Sequence, residues 1–301
     1  MSDPQNAGVP TFQGRVLPRP HEDIVDQGLA FDLATIDRRR AVRLLGMGVG
    51  VAVLAACADD GASGVSGSSS SQAGTTASSA SSTSATSATL TEIPEETAGP
   101  YPGDGSNGPD VLGEAGVVRQ DITTSFGAMS GTAQGVPARI ELTILDMAKG
   151  NAPFAGAAVY VWHCDREGGY SLYSDGVTDQ NYLRGVQIAG ADGTVAFTSI
   201  FPACYSGRWP HVHFEVYPDQ ASITDAGNAI AVSQLAIPRA ECDAVYATPG
   251  YEQSVANFAG MQLATDNVFR DDGGAGQLAS MSGDAATGYT MSLTAAVDTR
   301  T

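Results

Sequence analysis

Positive charge is scarce in this chain: Lys149 is its only lysine, and Lys and Arg together number 15 against 33 Asp and Glu, for a formal net charge of −18. Proteins that hold nucleic acid do so by meeting phosphates with Lys and Arg, so that class of partner is excluded. The acidity instead suits solubility outside the cytoplasm. Long apolar runs are also missing. The stretch Leu44–Ala56 is 13 residues, whereas crossing a bilayer takes about 20. Histidine is confined to His21, His163, His211 and His213, and cysteine to Cys57, Cys164, Cys204 and Cys242. No internal repeat is present. The run "DDGGAG" at 271–276 lacks the ligand spacing of a calcium loop and reads as a solvated turn.

The N-terminal segment has the order of an export leader: a basic cluster (Arg38, Arg39, Arg40, Arg43), the short apolar run, and the small-residue sequence "LAAC". The adjacent arginines point to the twin-arginine route. "LAAC" resembles a bacterial lipobox, which makes Cys57 the expected lipidated residue and a lipid anchor the expected tie to the membrane. Residues 1–57 are therefore read as leader. Residues 58–90, almost wholly Ser, Ala, Gly and Thr, cannot bury a core and are read as a flexible tether. A single folded domain is expected over 91–301. Outside the cytoplasm its three cysteines would give one disulfide and one thiol, with Cys204–Cys242 the expected pair.

Within that domain, "ARIELTILD", "AAVYVWHCD", "GTVAFTSIF", "HVHFEVYP", "NAIAVSQLAI" and "GYTMSLTAAVD" carry strand signals. Several alternate apolar with polar residues, and Gly, Pro, Asn and Asp clusters separate them. "RAECDAVYA" and "YEQSVANFAG" are the best helical segments. The expected fold is all-β, an antiparallel β-sandwich with few short helices and long loops.

The segment "GRWPHVHFEV" at 207–216 puts two of the four histidines two residues apart. On a strand, His211, His213, Glu215 and Tyr217 share one face, and Val212, Phe214 and Val216 the other. Two imidazoles on one face suit a metal. A two-metal copper–zinc site of the superoxide dismutase kind needs more histidines than the chain owns. A tetrahedral zinc site would want a third His, a Glu or cysteines, and nothing is spaced to supply them. Tyr170 and Tyr205 remain as hard anionic donors, and phenolate prefers ferric iron to ferrous iron or zinc. His163 follows Trp162 directly, so on a strand it faces the other way and is expected to be a hydrogen-bonded structural residue.

The blocks "PEETAGPYPGDG", "VVRQDITTSFG", "VYVWHCDREGGYSLYS", "ADGTVAFTSIFPACYSGRWPHVHFEVYP" and "AVSQLAIP" resemble, in order, those of the intradiol ring-cleavage dioxygenases. That family comprises the catechol and protocatechuate dioxygenases and their exported relatives, and the likeness spans about residues 92–240. It implies Fe(3+) held by Tyr170, Tyr205, His211 and His213, with a hydroxide completing the site. Tyr205 would serve as base to a departing proton, Arg208 would steady charge on the activated substrate, Gln234 would stand beside it, and Tyr101 would line the pocket. The implied partners are a small aromatic diol and dioxygen, the implied product a cis,cis-muconate-type diacid. The alternative is a non-catalytic cell-surface binding module that keeps the fold. In two respects the sequence departs from the better-known members. Only six residues separate Tyr205 from His211, and no helical dimerisation segment precedes the domain, which leaves the choice of catechol and the oligomeric state open.

Overall fold

Alternation in the sequence becomes strand in the structure, a computed structural model that describes residues 90–300 and the backbone of two short paired strands at Thr11–Phe12 and Arg15–Val16. The leader, Cys57 and the tether lie outside the described residues. Strand β1 (Pro137–Asp146) is the clearest case, with Ala138, Ile140, Leu142 and Ile144 buried and the residues between them partly open. It is followed by β2 (Ala152–Pro153), β3 (Ala158–Trp162), β4 (Arg184–Ile188), β5 (Thr194–Ile200), β6 (His211–Tyr217) and β7 (Ala231–Ala236). Two short helices, α1 (Arg239–Tyr246) and α2 (Glu252–Phe258), precede β8 (Ser280–Asp284) and β9 (Gly288–Val297).

The strands form two sheets. One runs β8-β9-β1, with β2 and β5 both paired to the far edge of β1; the other runs β4-β3-β6-β7. The expected all-antiparallel pattern needs one correction, because β9 pairs with β1 in parallel from Tyr289↔Ala138 to Val297↔Asp146. A parallel neighbour requires a long crossover, and the whole second sheet plus both helices lie between these two strands. Strands β2, β4 and β8 were not legible as strands: β2 is two residues long, and "RGVQI" and "SMSGD" are short and interrupted by glycine.

Between the sheets Ile140, Leu142 and Ile144 meet Val159, Val161, Val212, Phe214, Val216 and Leu235 in one core. The second sheet is buried on its other face too: Tyr160, Trp162, Val186 and Tyr217 pack there with Val111, Leu112, Val117 and Tyr170. The roof over this face comes from the chain before β1 and from the β3–β4 loop. On the opposite face, Ile122 from the chain before β1 approaches β4 closely: a Cβ on Gly185, which pairs with Val161, would come within 2.6 Å of Ile122 Cγ2, which explains glycine inside that strand.

The expected Cys204–Cys242 disulfide is absent. Cys164, Cys204 and Cys242 are all free and buried. Their thiols point to different carbonyls, Cys204 Sγ to Arg208 O at 3.5 Å and Cys242 Sγ to Ile237 O at 3.9 Å. Burial pushes the Cys204 thiol up to about 12, so it behaves as a small apolar side chain rather than a nucleophile.

Candidate metal centre

Cross-strand register aligns the face beneath the roof. Arg184 of β4 stands opposite Trp162 of β3, Trp162 opposite His213 of β6, and His213 opposite Gln234 of β7. Residues directly opposite in a ladder point to the same side, so these four side chains form one row across the sheet. His211 lies two residues before His213 on the same face. Tyr170 arrives from the β3–β4 loop and Tyr205 from the β5–β6 connection.

These side chains converge. His211 Nε2 lies 3.0 Å from His213 Nε2 and 3.4 Å from the hydroxyl of each of Tyr170 and Tyr205. His211 Nδ1 faces the Trp209 carbonyl at 2.5 Å. A carbonyl only accepts, so Nδ1 carries the hydrogen and Nε2 offers its lone pair to the cluster. Both imidazoles are held neutral. Burial, with Arg208 next, takes His211 down to about 3; burial, with His211 next, holds His213 well below the usual range. Burial also keeps the phenols protonated, Tyr170 well above the usual value and Tyr205 pushed up to about 12 despite the nearby Arg208.

The donor set fits a cation of high charge. Two donors sharing one ion at about 2.0–2.2 Å stand about 3–3.5 Å apart, the spacing found here. Two lone pairs and two phenols in a dry site need a positive centre before the phenols can ionise. Among the described residues no group of three His, Cys, Asp or Glu could hold a metal. A cation placed here would have to draw on Tyr170 and Tyr205 beside the two histidines, a donor set whose chemistry fits ferric iron.

The surroundings hold these groups in place. The His213 ring stacks on Trp162 with centroids 4.8 Å apart and planes 4° from parallel. Gly99 sits on its edge at φ +71°, where a Cβ would lie 3.2 Å from His213 Cε1. The Tyr101 ring packs on Tyr170 at 5.0 Å. Arg208 Nη2 donates to Gln234 Oε1 at 2.6 Å, and Gln234 Nε2 donates to Thr97 O at 2.9 Å. Tyr101, Tyr170, Tyr205, Arg208, His211, His213 and Gln234 are thus in this cluster or bonded to its rim, whereas Cys204 and Cys242 are unpaired thiols and Cys57 lies outside the described residues. Tyr173 and His163 stay out of it. Tyr173 Oη accepts from Gly103 N and donates to Asn107 O, while the His163 ring spans Cys164 O and Ser199 Oγ, each at 2.7 Å. Sequence reasoning missed Asp266, which ion-pairs with Arg208 at 2.9 Å, as well as Arg184, Gln277 and the part played by Gly99. Strand parity could have flagged Arg184 only had β4 been legible; Asp266 lies in a loop with no periodic signal.

Comparison with known proteins agrees with this geometry. A family model described as Dioxygenase matches residues 107–217, a span that contains all four donors and Arg208. An intradiol ring-cleavage dioxygenase structure from Tetranychus urticae superposes with a TM-score of 0.55 at 23% identity, covering 69% of this chain and 95% of that one. A second solved dioxygenase gives 0.54 at 23% identity over 69% and 94%. At these identities the likeness establishes the fold. Chlorocatechol 1,2-dioxygenase of Rhodococcus opacus is 42% identical over 53 residues, 18% of this chain and about a fifth (21%) of that protein's length. The chain therefore has the fold of the solved intradiol ring-cleavage dioxygenases and, over residues 107–217, matches the Dioxygenase family model.

Proposed function

We propose that the chain is a non-haem ferric dioxygenase that opens catechol-type diols between their two hydroxylated carbons, adding both atoms of dioxygen to give a cis,cis-muconate-type diacid. The observation that carries this reading is the meeting of Tyr170 Oη, Tyr205 Oη and His213 Nε2 around His211 Nε2 within 3.0–3.4 Å. Ferric iron held by these four side chains would supply a Lewis acid that draws both diol oxygens in as anions and readies the ring for dioxygen.

The chain's own groups account for the rest. The diol must lose two protons, and Tyr205, partly open to solvent where Tyr170 is buried, is the phenolate placed to accept one at its Oη. Arg208 is buried beside both tyrosines, and its fixed charge favours the electron-rich form of the ring that reacts with dioxygen. The Gln234 amide holds the guanidinium through Nη2. Tyr101, packed on Tyr170, gives the ring an aromatic wall. The Trp162 stack prevents His213 from turning. Diol plus dioxygen already balances the diacid, so no external reductant enters. The twin-arginine-like leader and "LAAC" support export and a lipid anchor at Cys57.

Colour tests this directly. Iron-loaded protein should be reddish from tyrosinate-to-iron charge transfer, and catechol added without oxygen should shift the band. Tyr205→Phe should slow turnover, and His213→Ala should lose iron. A protein that stays colourless after iron reconstitution and ignores catechol would sink the proposal in favour of a binding module. Bound zinc, with activity that needs no oxygen, would replace it with a hydrolase. For the anchor, Cys57→Ala should release the protein from the membrane fraction.

A further inference from the structure

Asp266 lies outside the family-matched span, in the segment between α2 and β8, and is completely buried. Its carboxylate is saturated by the chain. Oδ2 accepts from Arg208 Nε at 2.9 Å and from Trp209 N at 2.6 Å; Oδ1 accepts from Val268 N at 2.8 Å and Phe269 N at 3.1 Å. Nothing is left over for a substrate, so whatever Asp266 does at the site passes through Arg208 and Trp209. Both lead there. Trp209 O fixes the His211 tautomer, and Arg208 also holds Gln234, whose backbone carbonyl accepts from Gln277 Nε2 at 3.2 Å. Arg208 is thus gripped at Nε by one carboxylate and at Nη2 by one amide, while Nη1 has no hydrogen bond to the described residues. A guanidinium held at two corners keeps a fixed plane.

We infer that Asp266 is a positioning residue: it fixes the plane and charge of Arg208 at the reacting ring, while Trp209, and with it His211, stays anchored through the Trp209 Nε1 bond to Ile237 O at 2.8 Å. The inference rests on the dioxygenase reading above. Asp266→Asn keeps the shape but sets an amide donor against either Arg208 Nε–H and Trp209 N–H or the Val268 and Phe269 N–H groups. In the iron-loaded variant, iron content and the anaerobic catechol band should stay as in wild type and KM should move little. The kcat should fall about 100-fold, the scale of a reacting group displaced by about 1 Å. In an Arg208→Ala background the same change should cost less than about threefold, because the group it positions is gone. In iron-free protein, NMR should find the Arg208 Nε hydrogen exchanging slowly in wild type and at least about tenfold faster in Asp266→Asn.

A kcat retained within about threefold, or an equal loss with and without Arg208, overturns the inference. Rapid exchange of that hydrogen in wild type also overturns it, and this arm needs no variant. If Asp266→Asn does not fold, Asp266→Glu replaces it: the longer side chain cannot keep both the Arg208 and the Val268/Phe269 bonds, so the same kcat loss at full iron content is expected, and unchanged kcat is contrary. Wild-type protein with neither red band nor turnover would count against the dioxygenase reading itself. The exchange measurement then decides alone whether Asp266 holds Arg208.

Discussion

Arg184 offers the sharpest test of how the roof is fastened to the second sheet. It is 1% exposed, and its five N–H groups meet five oxygens: Nε to Ser171 Oγ, Nη1 to Pro102 O and Tyr160 Oη, and Nη2 to Tyr101 O and Ser171 O, at 2.7–3.2 Å. The acceptors are all neutral, and three are backbone carbonyls with the roof's own Tyr101 and Pro102 among them. Lysine carries three donors on one nitrogen, so Arg184→Lys must abandon at least two contacts. Each buried acceptor left unsatisfied costs about 1–3 kcal/mol, giving about 2–6 kcal/mol, a large share of the roughly 5–15 kcal/mol that holds a domain folded. Urea unfolding of the iron-free protein should show the midpoint falling by about 1–2 M with little change in slope. Arg184→Met, with no donors at all, should fall at least as far. The loosened roof should also raise KM, since Tyr101 reaches Tyr170 from the pinned segment. A lysine variant with an unmoved midpoint would mean that water replaces the lost donors, and the pinning role would have to be given up.

Two further perturbations follow from the site's surroundings. Gly99→Ala should lower the melting temperature and weaken iron retention together: the left-handed backbone costs an ordinary residue about 1–2 kcal/mol, and the new Cβ, 3.2 Å from His213 Cε1, has to move a ring already stacked on Trp162; unchanged melting and unchanged iron would contradict this. His163, taken down to about 4 by burial, stays neutral in the fold while the unfolded chain takes up a proton below about 6.5. Stability should therefore drop as pH falls from about 6.5 to 4, by roughly 1.4 kcal/mol per unit for this one group and about 3 kcal/mol in all. His163→Gln, compared with wild type at equal iron content, should show a shallower acid limb in denaturation curves, and superimposable limbs would refute the assignment.

What the sequence revealed about the site was what a local period or an ordered set of blocks can carry. Period 2 on β6 placed His211 and His213 on the face opposite Val212, Phe214 and Val216, and the structure has that division. Tyr170 and Tyr205 sit in loops, where no period acts, and only block order pointed to them. The Cys204–Cys242 pairing failed because compartment and count say nothing of direction: each thiol is turned to its own carbonyl. Strand β4 was hidden because it opens with an arginine and a glycine. Arg184 answers to the roof through its contacts, and Gly185, on the opposite parity, to the close approach of Ile122 in the core between the sheets. Asp266 was out of reach for a related reason. Its partner Arg208 is 58 residues away, and a polar contact closed over that distance leaves no trace in either local sequence.

The row Arg184–Trp162–His213–Gln234 explains why these legible and illegible parts act together. One step of register across four strands orders a roof anchor, a flat ring, the His213 imidazole and the amide that holds Arg208. A slip of one residue in any of these pairings would turn its side chain into the core between the sheets. Register there is fixed by Val159, Val161, Val212, Phe214 and Leu235, which fill that core from the opposite face. The apolar residues thus do more than stabilise the fold. Because each strand buries one parity against the first sheet, the other parity is committed to the roof, and His211 and His213 are presented to the two loop tyrosines as a consequence of hydrophobic packing on the side of the sheet that they do not occupy.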